Sequence, residues 1–79
     1  MKITNIKATK ELKHGVGYIY LNDKRATPVE SISLSISGRG MADIVLDFDA
    51  KTNELVGIEF LDLSLMPSNW KKVAINYDN

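Results

Sequence analysis

The residues of this chain best able to do chemistry are four carboxylates, Asp43, Asp47, Asp49 and Glu59, set among apolar residues in two neighbouring stretches. Paired acids can act as general acid and general base when burial separates their pKa values. Asp47 or Asp49 can face Glu59 across a hairpin, which would give a small ligand-binding or acid–base domain. The same residues also fit a solvated strand face that keeps a sheet soluble. That simpler reading outweighs catalysis, because all of them alternate onto the polar side of their segments.

Other chemistry lacks its parts. Nucleophilic catalysis needs a Ser, Thr or Cys beside a base that a third group orients. His14 is the sole histidine and is followed by Gly15 and Gly17, and no serine sits in a Gly-x-Ser-x-Gly context. The series Asp47, Asp49, Lys51, Asn53 opens like a calcium loop but places lysine at a ligand position, Thr52 where glycine makes the turn, and Ile58 where the closing glutamate belongs. One histidine and no cysteine leave zinc without ligands. Gly38-Arg39-Gly40 matches no phosphate-binding loop. The sequence therefore points to no catalytic residue, no metal and no cofactor. Lys2, Lys7, Lys10, Lys13, Lys24 and Arg25 near Tyr18 and Tyr20 are the only basis for nucleic-acid binding, and a chain of net charge zero argues against it.

These residues must be positioned by strands. Ser31 to Ser37 alternates strictly, with Ile32, Leu34 and Ile36 on one side and serines on the other. Asp43 to Asp49 places Ile44, Leu46 and Phe48 opposite Asp43, Val45, Asp47 and Asp49. Leu55 to Leu61 places Val56, Ile58 and Phe60 on one side. Between the last two, Ala50 to Glu54 is short and polar, and Asn53 tolerates positive φ, so a hairpin is expected. Val16 to Leu21 is a fourth strand, entered through a glycine-marked turn or bulge at His14 to Gly17. Asn22 to Arg25 and Ser37 to Gly40 read as turns. Lys2 to Ala8 and Val73 to Tyr77 can supply a first and a last strand, and Pro67 to Trp70 a short helical turn. The expected fold is all-β or β-rich α+β, an antiparallel meander of about five strands with at most one short helix near the C-terminus.

Seventy-nine residues make one domain, 1–79, with a small core. Without cysteine there are no disulfides, which suits a cytoplasmic setting. No secretion signal opens the chain, and no apolar run approaches the roughly 20 residues that span a bilayer. Residues 1–40 carry seven basic and three acidic side chains, and residues 41–79 the reverse. Such asymmetry marks either two electrostatically distinct faces or two halves whose strands interleave.

The stretch Ile44 to Asp49 followed by Val56 to Ser64 resembles the bacterial domain-of-unknown-function family numbered 2283. The positions that carry the likeness are Asp47, Asp49, Gly57, Ile58, Glu59 and Ser64, and Tyr18 to Leu21 is similar to the family's other strand. The resemblance covers roughly residues 16–64. The chain departs from the family pattern at Lys13 to Gly17, where a Tyr-Asp pair and a further acid are usual, and at Lys51 to Glu54, where the turn usually holds glycine. What the resemblance implies is a compact bacterial or phage β-sheet domain, often standing alone, with some members encoded beside small toxin-like proteins.

The expected function is a small non-enzymatic protein–protein interaction module, most concretely an antitoxin or immunity-type protein that covers a basic toxin. Asp43, Asp47, Asp49 and Glu59 form its acidic contact face, since fixed negative charge steers a basic partner. Trp70, with Leu65 and Met66 nearby, is a further contact candidate, although capping the core is its commoner use. The serine strand offers a route to homo-oligomers if it lies at a sheet edge.

Overall fold

The expected segments at Val16 to Leu21, Ser31 to Ser37, Asp43 to Asp49 and Leu55 to Leu61 all contain strands in the computed structural model, which describes residues 7–21, 28–36, 38 and 40–76. The first described strand lies at Lys7–Glu11 and overlaps the expected Lys2 to Ala8 only at its end. The strands are β1 (Lys7–Glu11), β2 (Val16–Tyr20), β3 (Val29–Leu34), β4 (Ile44–Asp49) and β5 (Leu55–Phe60). A 3-10 turn (Leu63–Leu65), the helix α1 (Ser68–Val73) and the two-residue strand β6 (Ile75–Asn76) follow. The sheet order is β3-β4-β5-β2-β1-β6. The β3–β4–β5 meander is as expected. Two features of the expectation need correction. Among the described residues the sheet has six strands rather than about five, and it is mixed, because β6 runs parallel to β1 through Thr9↔Ile75 and Lys10↔Asn76. The cause lies in α1, which returns the chain across the sheet so that β6 arrives in the direction of β1.

Turn chemistry follows the residues. Asn53 adopts φ 62° in the β4–β5 connection and Gly15 φ 65° in the β1–β2 connection, conformations that asparagine and glycine reach at least strain. Gly38 and Gly40 both lie at φ 74°, while Ser37 and Arg39 of that expected turn fall outside the described residues. The same holds for Lys2 to Ile6 of the expected first strand, for the expected turn at Asn22 to Arg25, and for Tyr77.

Directly paired residues on neighbouring strands point to the same side of a sheet. Ala8↔Ile19, Ile19↔Ile58 and Ile58↔Leu46 therefore define one face, which Gly17, Phe60 and Ile44 share. Leu63, Met66 and Ala74 close over it to make the core with Ala8, Ile19 and Phe60, and Trp70 and Leu65 pack against that cluster. Gly17 lies directly beneath this cover, where a Cβ would sit 2.8 Å from Met66 Cε and 2.9 Å from Leu63 Cδ1 and those side-chain ends would have to shift. Lys10 also belongs to this side by register and donates from Nζ to the Lys71 carbonyl at 2.7 Å. The cover reaches β1, β2 and β5. It stops short of β3, every residue of which is exposed. Because β4 and β5 lie between β3 and β2, strands from the basic and acidic halves interleave, and the sequence asymmetry does not become two separate faces.

Candidate functional site

The opposite face of the sheet has no helix over it among the described residues, and it carries Asp47 and Glu59 together with Tyr18 and Tyr20. Tyr18 and Tyr20 alternate with Gly17 and Ile19 and so project there from β2. Their ring centroids are 4.3 Å apart, at an interplanar angle of 46°. Across the register, Tyr18 pairs with Thr9 on one side and Glu59 on the other, and Glu59 pairs with Val45. Lys7 lies opposite Tyr20, with Nζ 6.0 Å from the ring centroid, at the outer limit of a cation–π contact.

Gly57 explains the arrangement of the centre. A Cβ at that position would overlap the Tyr18 side chain, with ring carbons at 2.6 and 2.7 Å and the hydroxyl closer still. The bare glycine lets the ring lie flat across β5. The Tyr18 hydroxyl thereby reaches β4 and donates to Asp47 Oδ2 at 2.5 Å. Ser31 on β3 donates to Asp47 Oδ1 at 2.6 Å. Both carboxylate oxygens are thus held by hydroxyls from two other strands, and the Tyr18–Asp47–Ser31 chain ties β2, β4 and β3 together above Gly57. Charge-assisted bonds of this kind are among the stronger ones in proteins.

The acidic residues named from the sequence do not form one patch. Asp43 is buried at the entry to β4; its carboxylate accepts from the Ile36 N–H at 2.9 Å, and its own N–H donates to the Leu34 carbonyl at 2.8 Å. Asp49 caps the hairpin turn by accepting from the N–H groups of Lys51 (2.8 Å) and Thr52 (3.2 Å). Trp70 packs on the core cluster, on the covered side of the sheet. Asp47 and Glu59 remain together on the open face. Of these two, Asp47 is already engaged, whereas Glu59 makes no hydrogen bond or ion pair among the described residues. It lines a groove of about 230 Å³ with Thr9, Glu11, Val16, Tyr18 and Tyr20.

The remaining candidates scatter. His14 stands in the β1–β2 turn with Nδ1 2.9 Å from Glu11 Oε2, a solvent-exposed pair. Of the basic set, Lys7 is on the open face, Lys10 on the covered one and Lys13 in the turn; Lys2, Lys24 and Arg25 fall outside the described residues. Tyr18 and Tyr20 entered the sequence reading only as neighbours of the basic set, and Thr9 and Ser31 were not singled out as site residues. The signal that would have found them is Gly57 itself: a glycine inside a strand marks close approach of another group, and the aromatic pair on β2 supplies that group.

With the geometry in hand, comparison with known proteins gives one result. The profile of a family described as protein of unknown function (DUF2283) matches residues 16–64, from the start of β2 to the 3-10 turn. The chain belongs to this family. No curated protein and no solved structure matches it significantly. The residues that carried the resemblance have physical roles: Asp47 anchors Tyr18, Asp49 caps a turn, Gly57 admits the ring and Ile58 faces the core side. Ser64 donates from N and Oγ to Asp62 Oδ1 (3.0 and 2.7 Å), starting the 3-10 turn. Glu59 is the one without an internal task of this kind.

Proposed function

We propose that the protein is a small, non-enzymatic, protein-binding module of the cytoplasm whose partner docks on the open sheet face. The observation that carries this reading is the unengaged Glu59 carboxylate beside the Tyr18–Tyr20 pair. An arginine or lysine of a partner can stack on an aromatic ring and meet the carboxylate at the same time, and aromatic residues with a charged neighbour are the usual anchors of protein interfaces. A basic toxin neutralised by occlusion is the most concrete partner of that chemistry. The helix layer opposite leaves this face free for a flat contact, and the hydroxyl-clamped Asp47 holds the tyrosines in one arrangement before binding, which limits the ordering cost.

Asp47 is a poor residue for testing this, because changing it also releases Tyr18. Glu59→Lys is the cleaner probe. The tagged protein, its Glu59→Lys variant and a Val73→Lys control on the exposed outer side of α1 would be used to capture partners at low and high salt, with mass identification and then titration. The expected result is one stoichiometric partner, lost at high salt, whose affinity falls about tenfold or more with Glu59→Lys and is unchanged with Val73→Lys. Equal affinity in all three forms would overturn the assignment of this face.

A further inference from the structure

The serine strand forms one edge of the sheet, and its geometry points to a second copy of the same chain as its occupant. In an antiparallel ladder, the N–H and C=O of successive residues alternate between the two sides of the strand. The carbonyls of Pro28 and Leu34 accept from Ala50 and Asp43, on the β4 side. Even-numbered residues of β3 therefore bond inwards, and Val29, Ser31 and Ser33 aim their backbone groups outward, where no strand pairs with them among the described residues. A strand bonding through odd residues on both copies keeps faces matched: Ser31 and Ser33 share one side, and Ile32 meets its own image on the other, where Leu34 lies opposite Glu30 of the second copy.

We propose that two chains pair antiparallel through β3, about a two-fold axis at Ile32, to make one continuous sheet of twelve strands. In this register Ser31 exchanges both backbone bonds with Ser33 of the second copy, and Ile32 faces its own image. Charge permits it. A two-fold axis sets like against like, so a charged edge repels its copy, but Ser31 to Ser37 holds no charged residue. The two Glu30 side chains are offset by four residues, roughly 13 Å along the strand, which exceeds a Debye length at physiological salt. Exposure favours it as well. Ile32, Leu34 and Ile36 are 52%, 40% and 58% exposed, beyond the end of the helix cover. They leave the apolar side of this edge open. An interface of one strand from each copy is small, so the dimer is concentration-dependent. The opposite edge, β6, is two residues long and offers no such template.

The experiment uses the absence of cysteine. Ile32→Cys places two sulfurs across the axis, in a non-hydrogen-bonded pair whose Cα separation suits a disulfide, while Leu34→Cys sets them four residues out of register. Mild oxidation of the full chain is expected to cross-link the first nearly completely and the second only in trace. In parallel, light scattering of the cysteine-free protein from 1 to 500 µM is expected to rise to twice the chain mass. Ser33→Pro removes only an outward N–H and should stay monomeric with unchanged circular dichroism. Equal cross-linking of both cysteine variants, or monomers throughout the range, would overturn the proposal; the latter would leave the edge to a strand from another protein. The cross-linking comparison decides the matter even where Ser33→Pro fails to fold.

Discussion

The centre of the sheet and its β3 edge share an alternating apolar pattern and meet different fates. In β2 and β5, Ile19 and Phe60 are buried beneath Met66 and Leu63, with Gly17 cut back to the backbone so that the cover can press down. In β3, Ile32 and Leu34 alternate with serines as regularly as any strand in the chain, yet they stand beyond the cover and remain exposed. Alternation reports that a segment is a strand with one apolar side. What covers that side is decided elsewhere, here by the 3-10 turn and six-residue helix that reach across only part of the sheet.

The largest expected effect tests this contrast directly. Met66 is 2% exposed, and Met66→Ala should cost about 2–5 kcal/mol. A chain of this size has only about 4–12 kcal/mol in total. Leu34→Ala, measured in urea at concentrations low enough to keep the chain monomeric, should cost less than about 1 kcal/mol. Equal losses would mean that the uncovered end is packed after all.

Gly57→Ala probes the open face and should cost about 1–3 kcal/mol, through overlap with the Tyr18 ring. In a Tyr18→Ala background the same substitution should be nearly neutral, a coupling above about 0.5 kcal/mol. Additivity would show that the ring does not depend on the glycine. Tyr18→Phe should cost about 1–2 kcal/mol, for one hydrogen bond to a partly buried carboxylate, which leaves Leu34→Ala as the smallest effect. Chemical denaturation reads all of these on one scale.

Much of this architecture was legible in the residues. The hairpin at Ala50 to Glu54, with Asn53 in the left-handed region, follows from local turn chemistry, and so does the helix after Pro67. The parallel β6 was not, because two residues carry no periodicity and their direction is set by the helix before them. Nor did the sequence separate Asp43 and Asp49 from Asp47 and Glu59. All four alternate in the same way, and the difference lies in backbone N–H groups that only the folded loops bring to Asp43 and Asp49. Trp70 packs against the core cluster because the helix lies across the sheet, a tertiary fact absent from its neighbours in sequence.

The β2–β5 pairing has a consequence for how the chain comes together. Each of β1–β2 and β3–β4–β5 is a ribbon of neighbours in sequence, whereas Gly17↔Phe60 and Tyr20↔Gly57 join residues 43 and 37 apart (60 − 17 and 57 − 20). Closing that seam means ordering a long loop before any contact across it is made, the step that sets folding speed in β proteins. The Leu63 N–H clasps the Gly15 carbonyl at 2.7 Å, fastening the turn of the first ribbon to the chain leaving the second. The molecule is two ribbons sewn along one seam, with that hydrogen bond as its last stitch.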